Sequence, residues 1–289
     1  MTMTRAEPER LVALDPARPR APRRRSGSRA PYRAPKRVLL GIGGTVFLLL
    51  VAELVVRTGV VVDPQYLPPV SAVLARSLQL AGDPAFLADI GSTMAAWVFA
   101  LLIAVVVGVP GGIALATSRT GYAASSSVIA AIRPIPAVAL IPLALLVFGN
   151  GLGMKVGLAA FGIVWPILFN TMYGVRDVDP VARDTARSYG IRGPRMLRRV
   201  ILPSAAPFIL TGARIAASLA FVIIVSTELF AGASSGIGAF ILLASSGGGD
   251  TLTVIAGAVW AGVIGLLISI ALLWVDGRFF RWARRGEAG

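Results

Sequence analysis

The chain has 289 residues, 56% hydrophobic and 15% charged, with 28 Lys/Arg against 14 Asp/Glu and no cysteine or histidine. That composition excludes disulfides, thiolate and imidazole metal sites, cysteine nucleophiles and the commonest general base, so ordinary enzyme chemistry is a poor expectation. Several apolar runs are long enough to cross a bilayer, so the net charge of +14 reads as membrane topology rather than nucleic-acid binding.

Residues 1–37 carry eleven Lys/Arg, three acids and many Pro and Ala, and are expected to form a disordered basic cytoplasmic tail. "VLLGIGGTVFLLLVAELVV" (38–56) reads as an uncleaved first span, because it exceeds a signal-peptide core and no small-x-small site follows. "LPPVSAVLARSLQLAGDPAFL" predicts a short interfacial helix after a Pro-Pro turn. Five further spans are expected, over 94–116, 124–148, 154–174, 207–232 and 252–274. The third span carries Arg133 and the prolines of "RPIPAVALIP", which predict an irregular or kinked start. The apolar centre of "ASSGIGAFILLASSGGGD" is too short to span and is expected at the outer surface or dipping into the bundle. The result is an all-α polytopic protein, with six transmembrane helices in a domain over 38–285 and a short tail over 286–289.

Six spans place both termini on one side, and the basic residues choose which. With the termini in the cytoplasm, 25 of the 28 Lys/Arg lie inside and only Arg57, Arg76 and Lys155 outside. "GNGLG" sits in an outer loop without strand-to-helix context, so it reads as a tight turn rather than a phosphate cradle. No GxxxxGK[ST] motif occurs, and the lysines are Lys36 and Lys155, so the chain is not expected to hydrolyse ATP itself.

The inner segment 175–206 is long for a helix connection and carries seven arginines. Asp179-Pro180 predicts a helix start, Gly190 a left-handed stop, and Gly193-Pro194 a second start. In the second helix Met196, Leu197, Val200 and Ile201 share one face, and Arg195, Arg198 and Arg199 another. Pro203 and Pro207 are expected to punctuate the passage into the fifth span.

Asp184-Thr185-Ala186, three residues, Gly190, nine residues, Val200, one residue, Leu202-Pro203 resembles the "EAA" signature of bacterial ABC importer permeases. Asp184 stands for Glu, Thr185 for Ala and Val200 for Ile. The likeness covers roughly 66–285, and "RPIPAVALIPLALLVFGNGLG", "WPILFNTMYGVRDVDP" and "GARIAASLAFVIIVSTELFAG" resemble the nitrate/sulfonate/taurine branch. The resemblance implies a type I importer permease in the bacterial inner membrane, working as a dimer, most simply a homodimer. It further implies an extracytoplasmic solute-binding protein and separate ATPase subunits that carry ATP and Mg, with no cofactor in this chain. The 175–206 loop would then be the coupling loop, contacting the ATPase through Asp184, Thr185, Ala186, Ser188, Tyr189, Gly190, Val200, Leu202 and Pro203.

Glu228 in the fifth span would cost about 2.5–3.5 kcal/mol at the bilayer centre, less near an interface. Arg214 lies about 21 Å along the same helix and within roughly 40° in rotation, so the two share a face without pairing. That face either lines the pathway, or Arg214 and Glu228 snorkel in opposite directions. Arg133 is either a cytoplasmic anchor or part of an inner gate, and Asn170 and Thr171 either line the pathway or bond neighbouring helices. "GVPGG" suits close helix packing or a pore wall. Two rivals remain: an ion-gradient carrier or channel without an ATPase, disfavoured by the scarcity of intramembrane acids, and a scaffold whose basic loop binds anionic lipid or RNA.

Overall fold

A computed structural model describes residues 34–59, 67–118, 121, 131–132, 135–246 and 249–279. They are almost wholly helical, without a strand. Helix α1 is Ala34–Thr58, α2 Val70–Leu80, α3 Pro84–Thr117, α4 Ile141–Phe148 and α5 Leu152–Arg176. Then come α6 Pro180–Ser188, α7 Pro194–Ala231, α8 Ile237–Ser246 and α9 Thr251–Phe279. Five segments in these helices are long and apolar enough to span a membrane: Leu40–Thr58, Pro84–Thr117, Leu152–Arg176, Pro194–Ala231 and Thr251–Val275.

The expected third span is described only in part, with Arg133 outside the described residues. From Pro136 the chain makes a 3-10 turn over Ala137–Leu140 and runs into α4, an irregular start of the kind the prolines predict. The short helix expected in this segment appears as α2 after Pro69, and Asp83 starts α3 by accepting a hydrogen bond from Ala85 N at 2.9 Å.

The centre of the bundle is α3, α5 and α7. Ala96, Ala100 and Ala104 form a stripe four residues apart on α3 and pack with Ala159, Ile163 and Ile167 of α5 and Ala216, Ala220 and Ile224 of α7. Lipid is as apolar as these side chains, so helix association depends on close packing rather than water exclusion, and alanine at the seam permits it. The glycines of "GVPGG" do the same: a Cβ on Gly112 would lie 2.7 Å from both Leu168 O and Thr171 Cβ.

One expectation needs correction. Pro203 and Pro207 do not interrupt the passage into the fifth span, since α7 runs unbroken from Pro194 to Ala231. At Pro203 a π-helical stretch over Leu197–Ile201 accounts for this: Leu202 N bonds Leu197 O, and Pro203, which offers no donor, falls in the first turn of the α-helix that follows, with Pro207 inside it.

Candidate functional site

At one end of the bundle lies the 175–206 connection. Asp179 caps α6 by accepting a hydrogen bond from Val181 N at 2.8 Å, and Pro180 occupies the first turn. The helix closes with Ile191 N on Ala186 O at 2.9 Å and Gly190 N on Arg187 O at 2.9 Å, with Gly190 at φ +74°. This is a Schellman motif, which needs the left-handed conformation that glycine adopts without strain. Gly193, at φ +56°, turns the chain into α7.

The side chains of this connection divide by exposure. Ala186 is the buried side chain of α6, which lies beside the Leu197–Ile201 stretch. Arg183 donates from Nη2 to Val175 O, tying α6 to the end of α5. Asp184, Thr185, Ser188, Tyr189 and Gly190 are exposed, Tyr189 to 81%. Asp184 pairs with Arg187 at 3.0 Å. Val200 is half-buried, and Leu202 and Pro203 are exposed at the root of α7. Every residue of the expected coupling set therefore falls on one continuous connection.

Along the bundle, a cleft of about 510 Å³ opens between α5, α7 and the 135–138 segment. Phe161, Trp165, Phe169 and Tyr173, each four residues on from the last, line it from α5, and Ile215, Leu219 and Ile223 line it from α7. Asn170 also lines it while donating to Pro166 O at 2.8 Å. Thr171 does not: it is buried, bonds Ile167 O at 2.7 Å and packs against Gly112. Neither side chain bonds a neighbouring helix: Asn170 lines the cleft, and Thr171, bonded within α5, touches α3 at Gly112.

The opposite end holds a cluster that the sequence does not announce. Lys155, counted above among the outer cations, is 1% exposed, and its Nζ donates to Glu228 Oε1 at 2.9 Å, Ser92 Oγ at 2.9 Å and Ser235 O at 3.0 Å. Glu228, fully buried, also accepts from Thr93 Oγ1 at 2.9 Å and from Gly238 N at 3.0 Å. Arg214 and Glu228 do not pair, and they meet different surroundings: Glu228 is enclosed by α3, α5 and the start of α8 while Arg214 is exposed. Snorkelling is excluded for Glu228, whose charge is met inside the protein.

A signal for this pair existed. Lys155 is the sole charge in the expected span 154–174 and Glu228 the sole acid in 207–232; two successive antiparallel helices place them at the same end. "GNGLG" is the expected turn, with Gly149 at φ +67° and Asn150 Nδ2 donating to Gly232 O at 2.9 Å beside the cluster.

Comparison with known proteins agrees with this architecture. Residues 108–285 match the family described as binding-protein-dependent transport system inner membrane component. The taurine transport system permease protein of Escherichia coli (strain K12) is 32% identical over 252 residues, covering 86% of this chain and 90% of the relative. A putative aliphatic sulfonates transport permease of the same organism is 34% identical over 165 residues, 57% of this chain and 62% of the relative. Among solved structures, the inward-facing MetNI methionine ABC transporter gives a TM-score of 0.58 at 19% identity, over 65% of this chain and 93% of that chain.

Proposed function

The chain belongs to the family of binding-protein-dependent transport inner-membrane components, and from that premise we propose that it is the permease subunit of an ATP-driven importer. The solute is a small anion such as a sulfonate, taurine or nitrate, or a related small organic compound. The likeness to taurine and sulfonate permeases favours that class. The chain performs no covalent chemistry. Two cytoplasmic ATPase subunits bind ATP and Mg, an extracytoplasmic binding protein delivers the solute, and a second copy of this permease completes the pathway. Both termini lie in the cytoplasm, which places the 175–206 connection there as well.

The observation that carries this reading is the build of that connection. A nine-residue helix is capped at both ends and presents Asp184, Thr185, Ser188 and Tyr189 outward, while Arg183 fastens it to the end of α5. An exposed, rigid knob joined directly to a spanning helix suits a mechanical contact with a second subunit, with Ala186, Gly190, Val200, Leu202 and Pro203 shaping its seat. In the pathway we place Asn170 at the cleft and Arg214 on the exposed face of α7; Arg133, outside the described residues, is kept as an inner-gate candidate from the sequence alone. Glu228 is withdrawn from that set by its burial.

The test uses the natural lack of cysteine. Ser188→Cys, co-expressed with the cognate ATPase carrying a single cysteine in its docking groove, should give a crosslink whose yield changes with ATP. No crosslink from a folded ATPase and a reachable thiol would refute the coupled importer and favour a gradient-driven carrier.

A further inference from the structure

We propose that Lys155 and Glu228 are positioning residues that pin α8 to α3, α5 and α7, so that this end of the protomer travels as one body through the transport cycle. The proposal rests on the importer reading for the cycle itself, though the pin stands on its own geometry.

The start of α8 is held through its backbone. Gly236 N donates to Asp89 Oδ1 at 2.7 Å, Ile237 N to Thr93 Oγ1 at 3.0 Å and Gly238 N to Glu228 Oε2 at 3.0 Å. Three consecutive amides, the donors a helix start leaves open, are each taken by a side chain of α3 or α7. Lys155 then closes the cluster from α5, spending all three ammonium protons on Glu228, Ser92 and Ser235. No slack is left: a Cβ on Gly236, at φ +119°, would lie 2.1 Å from Glu228 Oε1, and one on Gly238 would lie 2.4 Å from Val225 O.

Withdrawing α8 would break in one step the three amide bonds and the Lys155–Ser235 bond that hold its start, and would leave the buried Lys155–Glu228 pair short of partners. So many bonds lost together oppose separation at this end, and the proposed cycle is left to open elsewhere, between protomers or along the α5–α7 cleft.

The test joins Ser92 and Ser235, whose hydroxyls lie 2.8 Å apart. In the cysteine-free chain, Ser92→Cys with Ser235→Cys is assembled with the ATPase in vesicles, and disulfide closure is followed by loss of maleimide labelling. Closing the bridge should leave ATP hydrolysis within twofold of the reduced sample; a tenfold loss restored by reductant would overturn the pin. A second measurement needs no ATPase. In hydrogen exchange on the permease alone, the amides of Gly236, Ile237 and Gly238 should be among the slowest. Lys155→Met should speed them at least tenfold without changing those of α6. Fast exchange there in the unaltered protein would overturn the proposal. Protected amides without permease-dependent ATP hydrolysis would keep the pin and refute the importer reading instead.

Discussion

The Lys155–Glu228 pair gives the most demanding test of the fold. Removing Lys155 leaves the fully buried Glu228 with Thr93 and Gly238 as partners but no counter-charge; Glu228→Gln leaves the ammonium with neutral acceptors alone, Ser92 Oγ, Ser235 O and one amide oxygen for which Gly238 N competes. Breaking a buried pair from one side costs about 3–5 kcal/mol, because the surviving charge is uncompensated. At about 2–4 °C per kcal/mol for chains of this size, either single substitution should lower the thermal midpoint in detergent by roughly 6–20 °C. Lys155→Met combined with Glu228→Gln restores neutrality and retains an acceptor for Gly238 N, so the double variant should recover about 2 kcal/mol relative to the sum of the singles. The assay is thermal unfolding of the four proteins, followed by tryptophan fluorescence. Single variants within 2 °C of the parent, or singles whose effects simply add, would refute the account of a closed charge pair.

Other predictions follow from single geometries. Gly190→Val forces a β-branched residue to φ +74°, a strain of at least roughly 1–2 kcal/mol, and should lower permease-stimulated ATP hydrolysis several-fold with membrane content unchanged. Gly112→Val should destabilise by about 1–3 kcal/mol through overpacking against Leu168 and Thr171, whereas Gly111→Ala, whose Cβ would meet only Leu168 Cδ1 at 3.6 Å, should be nearly neutral in the same melt. Asp250 precedes α9, and the hydrogen bonds from Thr253 Oγ1 at 2.5 Å and Thr253 N at 3.0 Å hold its carboxyl below the usual carboxylate range. A carboxyl depressed by folding stabilises above its unfolded value near 3.9 and loses that contribution as pH falls through the folded value. Amide exchange at Thr253 and Val254 should therefore quicken as pH drops below about 4, once the intrinsic pH dependence of exchange is divided out, and Asp250→Asn should remove that step.

The parts of this molecule that the sequence discloses are those whose chemistry is local. A nineteen-residue apolar run, the Pro-Pro entry to α2 and the Asp179-Pro180 to Gly190 frame of α6 each state their geometry within one contiguous stretch of chain, and each appears in the structure. The buried cluster is different, since Asp89, Ser92 and Thr93 are separated from Ser235–Gly238 by over 140 residues and meet only because α3 and α7 pack. Lys155 finds its carboxylate 73 residues away for the same reason, since Glu228 arrives only with the packing of another helix. Arg214 and Glu228 show the limit of helix-wheel reasoning, because nearness in rotation says nothing of which neighbours stand at two heights about 21 Å apart. The unbroken α7 was likewise hidden, since a π turn that absorbs a proline leaves no mark in the order of residues.

Helix α5 connects the two ends. Lys155 sits in its first turn and Val175, which receives Arg183 from α6, in its last; twenty residues at 1.5 Å separate them by about 30 Å. A push on α6 is therefore delivered to a rod whose far end is fixed in the cluster. A rod held at one end can turn as a whole with everything pinned to it, or it can bend. Pro166 stands midway, inside the helix, where the missing N–H leaves Gly162 O without its helical partner. Gly162 and Pro166 both line the 510 Å³ cleft. The point in the rod that lacks a backbone hydrogen bond thus lies beside this cleft, so bending there would change the width of the cleft. The cleft proposed above for the solute and the point where the helix can bend are the same stretch of chain.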